Sequence, residues 1–321
     1  MPGVYYIILV MEKKILILLM ACDKDIYKQE EQACRDTFLK DAEKAGVPYF
    51  FYRGISEEGQ TSGIDASNHD MRLLVPDDLK NTARKTVEAF RLALEMDNWD
   101  YVVKTNVSTW LDVNKILESV KLWEGKEDRN IYGARYLVNE HSKNVPFPRG
   151  HFVILSREIV SGIVKWAPKL LLSNSFPKTD DTLLCMAMLY HIQKILGDNY
   201  QQRLMEVPSV ISWSEDIENS NGWTDAFSIR CKDEEKMGNT PMNMRKVHEL
   251  KHKNTIDRKL FKPIELMETK FGLITYGTYV FMNELFKKVN EEPTAEEKPV
   301  EKEEEAPGKI DDIKNRLKGL F

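Results

Sequence analysis

Two adjacent carboxylates, Asp180 and Asp181, follow Ser175-Phe-Pro-Lys-Thr179 and open an apolar helical pattern. Carboxylates in a first helical turn favour the helix dipole, so N-capping alone accounts for them. The same position suits a general base that takes the proton of a hydroxyl nucleophile. A second group stands in Asp100-Tyr-Val-Val-Lys-Thr-Asn-Val-Ser-Thr-Trp-Leu-Asp112. There an apolar strand runs straight into short polar side chains and then into a helix. Open α/β sheets bind ligands at the carboxyl ends of their strands. Asn106 and Ser108, two apart, either face one ligand or form a turn and N-cap. A third group, His248-Glu249-Leu250-Lys251-His252, fits H-E-x-x-H. On a helix its two histidines face one way and can hold Zn²⁺, with the Glu as base. Lys251 and Lys253 place positive charge beside that site, and no third ligand follows at a familiar spacing. A zinc hydrolase is therefore disfavoured.

The histidines belong to a basic stretch. Residues 245–262 hold seven Lys and Arg against Glu249 and Asp257, net +5. Arg245, Lys246, Lys251, Lys253 and Arg258 are either a solvated face or contacts for a diphosphate or other polyanion. Arg230 and Lys232, just after an expected strand over 226–229, extend that patch. Trp213 and Trp223 are either stacking surfaces for a base or sugar, or core residues. The chain has neither G-x-G-x-x-G nor G-x-x-x-x-G-K-[ST], so dinucleotide and P-loop readings lack their phosphate-cradling loops.

These groups need elements to hold them, and the patterning alternates between strand and helix. Lys14 to Cys22 is continuously apolar, as in a strand buried on both faces. Tyr27 to Ala45 is predicted as one helix, ended by Gly46. Strands are expected over 47–52, 101–103, 131–132 and 152–155. Helices are expected over 78–96, 113–122, 157–166 and 181–196, with a loop over 55–69. The basic stretch around 244–258 lacks an apolar stripe. This order predicts an α/β fold with a mixed, mainly parallel sheet flanked by helices. The apolar N-terminal runs are split by Glu12, Lys13 and Lys14, and neither reaches the ~18 residues of a membrane span. No membrane association is expected, and the location is expected to be cytoplasmic. Cys22, Cys34, Cys185 and Cys231 are scattered, as for reduced thiols.

Hydrophobic residues make up 42% of the 321, which excludes a mostly disordered or fibrous chain. The net charge of −5 would count against a polyanionic partner, but its placement matters. Residues 291–308 hold eight Glu, two Lys and three Pro, net −6, and no apolar residue larger than Val. Such a segment cannot form a core and is expected to be a disordered acidic linker. Without it the chain carries +1. In residues 309–321, Ile310, Ile313, Leu317 and Leu320 make one apolar stripe of a short amphipathic helix. The expected organisation is a catalytic domain over 1–290, a linker over 291–308 and a docking peptide over 309–321, which either docks back on its own domain or binds a partner.

Taken in order, five blocks resemble the GT-A-fold glycosyltransferases of the fringe and β1,3-galactosyltransferase type. Arg35-Asp-Thr-Phe38 resembles that family's R-x-T-W, and Asn81-Thr-Ala-Arg-Lys-Thr86 its N-L-T-x-K-T. Lys104-Thr-Asn-Val-Ser108 with Asp112 stands where the family has K-x-D-D-D. Gly150-His-Phe-Val-Ile-Leu-Ser156 matches a glycine-led strand ending in Ser, and Asp180-Asp-Thr182 matches E-D-V. The resemblance covers about residues 14–200. It implies a Rossmann-like nucleotide-sugar site, a UDP-sugar donor and inverting transfer with Asp181 as base, beside Asp180. It also implies donor contacts from Arg35, Lys85, Lys104, Asn106, Ser108, Gly150, His151, Arg230 and Lys232. The family's D-x-D holds Mn²⁺ or Mg²⁺ against the donor diphosphate. Here Asn106 and Ser108 are neutral. Either they bind metal weakly with a histidine such as His248, or Lys and Arg neutralise the diphosphate.

The family is usually membrane-anchored and disulfide-bonded, whereas this sequence shows neither an anchor nor a cysteine framework. That points to an acceptor reachable in the cytoplasm: a glycan, a lipid-linked sugar, or the hydroxymethylated base of phage DNA. The tail resembles the clamp-binding peptides of T-even-type phage replication proteins. That resemblance implies docking on a phage sliding clamp through 309–321, and 5-hydroxymethylcytosine in duplex DNA as acceptor. A non-catalytic binder of nucleotide-sugars is the remaining class, because the D-x-D is degraded.

Overall fold

The structure, a computed structural model, describes residues 14–253 except 56–60, 123–130, 134–135, 138–146, 173–178, 197–203, 208, 211–212, 214–216, 218–222, 224 and 234–236. Arg258, the linker 291–308 and the tail 309–321 lie outside the described residues. The first half comprises β1 Ile15–Met20, α1 Asp25–Asp36, α2 Phe38–Lys44, β2 Tyr49–Gly54, β3 Gly63–Asp65, β4 Asp70–Leu73, α3 Thr82–Leu94, β5 Tyr101–Asn106, β6 Thr109–Leu111 and α4 Val113–Leu122. The second comprises β7 Ile131–Gly133, β8 Tyr136–Leu137, β9 Phe147–Pro148, β10 Phe152–Ser156, α5 Arg157–Leu172, α6 Asp180–Leu196, β11 Leu204–Glu206, β12 Ser209–Val210, β13 Ser228–Arg230 and α7 Thr240–Lys253.

Eight strands form one sheet in the order β11-β7-β10-β5-β1-β2-β4-β3. β1 is parallel to both β2 and β5, β2 to β4, and β7 to β11. β10 runs antiparallel to β5 and β7, and β3–β4 is a hairpin. The sheet is thus mixed and mainly parallel, flanked by helices. β1 shows why its sequence is apolar throughout. Alternate residues of a strand face opposite sides. Leu16 and Leu18 enter a core with α3, α5 and α6. Ile15, Ile17 and Leu19 enter a second core with α1, α2, α4 and α7.

Three expectations change. The single helix over 27–45 breaks at Thr37, whose backbone leaves the helical region (φ −119°, ψ −116°) while its Oγ1 donates to Ala33 O at 2.6 Å. A hydroxyl bonded back to the preceding turn competes with the helix ladder. The loop expected over 55–69 contains β3 and leads into β4. Its turn is organised by Asp65, whose Oδ1 accepts the N–H groups of Ser67 and Asn68 at 3.1 and 3.2 Å. The basic stretch forms α7, which buries Asn243, Met244, Val247 and the stem of Lys251. No helix among the described residues is long and apolar enough to cross a membrane. The four cysteines are free thiols, three of them buried.

The topology singles out one edge. From β1 the chain passes through α1 and α2 to β2 on one side, then returns through α3 to β5 on the other. The carboxyl ends of β1 and β5 therefore mark a topological switch point, where ligands bind in open α/β sheets. Met20 and Asn106 are partners there. Because β10 is antiparallel, its first residues reach the same edge, with Phe152 opposite Thr105.

One side of this edge is held by a buried cation. Arg53 bonds Asp70 at 2.8 Å, Glu31 at 2.8 Å and Asp23 at 3.0 Å, and Arg72 shares Asp23 and Asp70. Arg53→Met would leave Glu31 buried without its countercharge and Asp70 with Arg72 alone. A loss of about 3–5 kcal/mol is expected in urea unfolding; an unchanged midpoint would contradict this role.

Candidate active site

Lys104 on β5 is 1% exposed, so its ammonium needs protein partners. Nζ donates to Asp180 Oδ2 at 2.6 Å, to Gly150 O, and to Asn106 Oδ1 at 3.4 Å. These bonds use all three of its donors. Lys104 is thus a clamp joining β5, the turn before β10 and the first turn of α6, rather than a cation offered to a ligand. The turn is narrow: a Cβ on Gly150 would lie 3.3 Å from Asp180 Oδ2 and 3.4 Å from Asp181 Cβ, so α6's first turn would have to give by a few tenths of an ångström. Thr105 Oγ1 adds a bond to His151 O at 2.8 Å.

The two carboxylates of α6 therefore do different things. Asp180 is paired with Lys104. Asp181 Oδ1 accepts its neighbour Thr182's N–H at 2.9 Å. Burial, and then the charge of Asp180, push the Asp181 carboxyl above the ordinary carboxylate range. A carboxylate of raised basicity at a ligand-binding edge is suited to general-base work.

His151 reports the local field. Burial, followed by the charges of Arg230, Lys104 and Arg149, holds its pKa down at about 3, so the ring is neutral. Arg149 had no sequence signal beyond lying next to Gly150. Arg230 stands opposite Thr109 in the β6–β13 pair, and the next residue, Cys231, donates its N–H to Ser108 O at 2.9 Å. Lys104, Arg149, His151, Arg230 and Ser108 are thus brought to one region with Asp180 and Asp181. The residues present do not fit Mn²⁺ or Mg²⁺. These ions want carboxylate oxygens, whereas Asn106 and Ser108 are neutral, Asn106 Oδ1 is engaged by Lys104, and three cations act on the neighbouring His151. Asp112 does not supply the missing charge: its Oδ1 caps Lys115 N at 3.1 Å.

Other expected donor and polyanion residues are employed elsewhere. Arg35 ties α1 to the hairpin, donating to Asn68 O at 3.1 Å and lying 4.6 Å over the Phe51 ring. Lys85 is buried against Asp77 at 2.6 Å, and Asp77 also accepts the N–H groups of Asp23 and Gly54. Lys251 points into the core, 5.6 Å from both the Trp110 and Trp223 rings and 3.7 Å from Asp112. Trp223 is buried and Trp213 packs against the same core. Arg245 pairs with Asp36 at 2.7 Å and Lys253 with Glu249 at 3.3 Å. Lys246 is exposed on α7. Lys232 lies in the field of Glu30, whose carboxyl burial raises to about 7. His248 meets Trp110, His252 and Asp41.

No family model and no curated protein matches the chain. Among solved structures it is similar to a glycosyltransferase involved in the glycosylation of the major capsid of PBCV-1, at 9% identity and a TM-score of 0.43, over 73% of this chain and 99% of that one. It is also similar to the galactosyltransferase LgtC in complex with donor and acceptor sugar analogs, at 8% identity and a TM-score of 0.40, over 73% and 95%. A197 from STIV follows at 11% identity and a TM-score of 0.30, over 55% and 78%. At such identities and TM-scores the chemistry has to be read from this chain's own residues.

The raised basicity of Asp181 has a stability consequence. The folded state binds this proton more tightly than the unfolded chain does. Its contribution is fully present below the ordinary carboxylate range and is lost as pH rises through the raised value. Asp181→Asn is therefore expected to melt higher than the wild type at neutral pH, with the difference closing in acid. Equal melting curves across that range would show that Asp181 is not perturbed.

Proposed function

We propose that the chain is an inverting glycosyltransferase that moves a sugar from a UDP-sugar to an acceptor hydroxyl. The reading is carried by one observation: a carboxyl of raised basicity, Asp181, stands at the switch-point edge beside a cluster of cations. Asp181 takes the proton of the acceptor hydroxyl. The acceptor oxygen bonds the anomeric carbon from the face opposite the nucleotide, and the bond to the diphosphate oxygen breaks. Negative charge then develops on the leaving diphosphate. Arg149 and Arg230 supply charge-assisted hydrogen bonds to it, while Lys104 keeps Asp180 and the start of α6 in place. Asn106, Ser108 and the neutral His151 are polar groups for the donor's sugar and phosphate oxygens. Because the site is electropositive, transfer needs no divalent ion against the diphosphate.

The acceptor we favour is 5-hydroxymethylcytosine in duplex DNA. The tail's resemblance to clamp-binding peptides supports it, and so does the +1 charge of the chain without its acidic linker. A tether to a sliding clamp would concentrate the enzyme at newly made DNA. The base would have to leave the stack, at a cost of a few kcal/mol. A cytoplasmic glycan or lipid-linked sugar is the second reading, because the same site would serve it.

Incubation of hydroxymethylated DNA with a panel of UDP-sugars in buffer free of Mg²⁺ and Mn²⁺, followed by nucleoside mass spectrometry, tests the proposal. A mass gain of one sugar is expected. No gain with any donor would sink the DNA reading, and a gain only after Mn²⁺ is added would sink the metal-free one. Asp181→Asn is expected to abolish transfer while UDP binding persists; turnover near wild type would place the base elsewhere.

A further inference from the structure

The two histidines of the H-E-x-x-H segment acquire a third partner that sequence spacing hid. His248 and His252 are one helical turn apart on the same face of α7, with ring centroids 4.3 Å apart. Asp41, on α2 and 211 residues before His252, places Oδ2 3.2 Å from His252 Nε2. One ligand atom from each of Asp41, His248 and His252 lies within 4.8 Å of the others. Zn²⁺ ligands sit about 2.0–2.1 Å from the ion, so the edge of a tetrahedral site is about 3.3 Å. The Asp41–His252 separation already matches that edge. Trp110 Nε1 donates to His248 Nδ1 at 3.4 Å, a long contact that ligation can replace.

The cations that argued against metal are accounted for. Lys251 is turned into the core toward Asp112, and Lys253 is bonded to Glu249. Lys40 remains in the field of His248, opposed by Asp41. Glu249 and Lys253 are largely exposed together, so Glu249 is not held as the base of a zinc hydrolase. Two imidazoles and one carboxylate select Zn²⁺, Co²⁺ or Ni²⁺ over Mg²⁺.

We propose that Asp41, His248 and His252 form a transition-metal site of the Zn²⁺ class, with water as fourth ligand, that ties α7 to α2. The site is independent of the transferase reading. Co²⁺ titration of the full chain tests it, followed by the visible bands of tetrahedral Co²⁺ and by quenching of tryptophan fluorescence. Trp110 lies 6.4 Å from the His248 ring and reports on the site directly. Saturable one-to-one binding is expected, displaced by Zn²⁺ and not by Mg²⁺. His252→Gln and Asp41→Asn, both at partly or fully exposed positions, should each weaken it at least about tenfold. Circular dichroism checks that both fold, and either variant alone decides. Absence of a saturable signal, or wild-type affinity in a folded variant, overturns the proposal.

Discussion

The edge where this protein is proposed to act depends on one buried ammonium. Lys104 lies inside the sheet layer, where an uncompensated charge would cost several kcal/mol. Its three bonds dictate what surrounds it. The antiparallel β10 brings the Gly150 carbonyl to it, and α6 begins where Asp180 can reach it. Asp181 is then fixed one residue on, partly buried and next to a second carboxylate. Its raised basicity follows from that placement, with no separate device needed.

The same arrangement explains how the site departs from the metal-dependent pattern it resembles. Asn106 and Ser108 are neutral and offer none of the carboxylate ligands that Mg²⁺ and Mn²⁺ favour. Arg149 and Arg230 add positive charge near His151, beyond Lys104, which is paired with Asp180. A diphosphate suits that field, and a divalent cation does not. The rest of the positive charge is largely spoken for: Arg35, Lys85, Arg53 and Lys251 hold elements together, and each has an acid, a carbonyl or an aromatic ring as partner.

Much of the scaffold was legible in the sequence because burial writes a strong pattern. β1, β5 and α4 follow from runs or stripes of apolar residues that only one period explains. The start of α6 was legible because two carboxylates, Asp180 and Asp181, open an apolar helical pattern. What stayed hidden was local or long-range. The helix breaks at Thr37, which no periodicity shows. The β3–β4 hairpin is too short and polar to read as strand. Lys251 carries a charge yet fills a core position, so composition misplaced it. Asp41 completes a histidine pair from the far end of the chain, where spacing within a motif cannot look.

Isotope-labelled Asp181 can be titrated by ¹³C NMR of its carboxyl carbon, in the wild type and in Asp180→Asn, with no substrate required. The clamp requires Asp181 to titrate above the ordinary carboxylate range in the wild type. In Asp180→Asn it should titrate lower, because a like charge is gone and Lys104 is left uncompensated. An ordinary wild-type value, or one that Asp180→Asn leaves in place, would contradict the account.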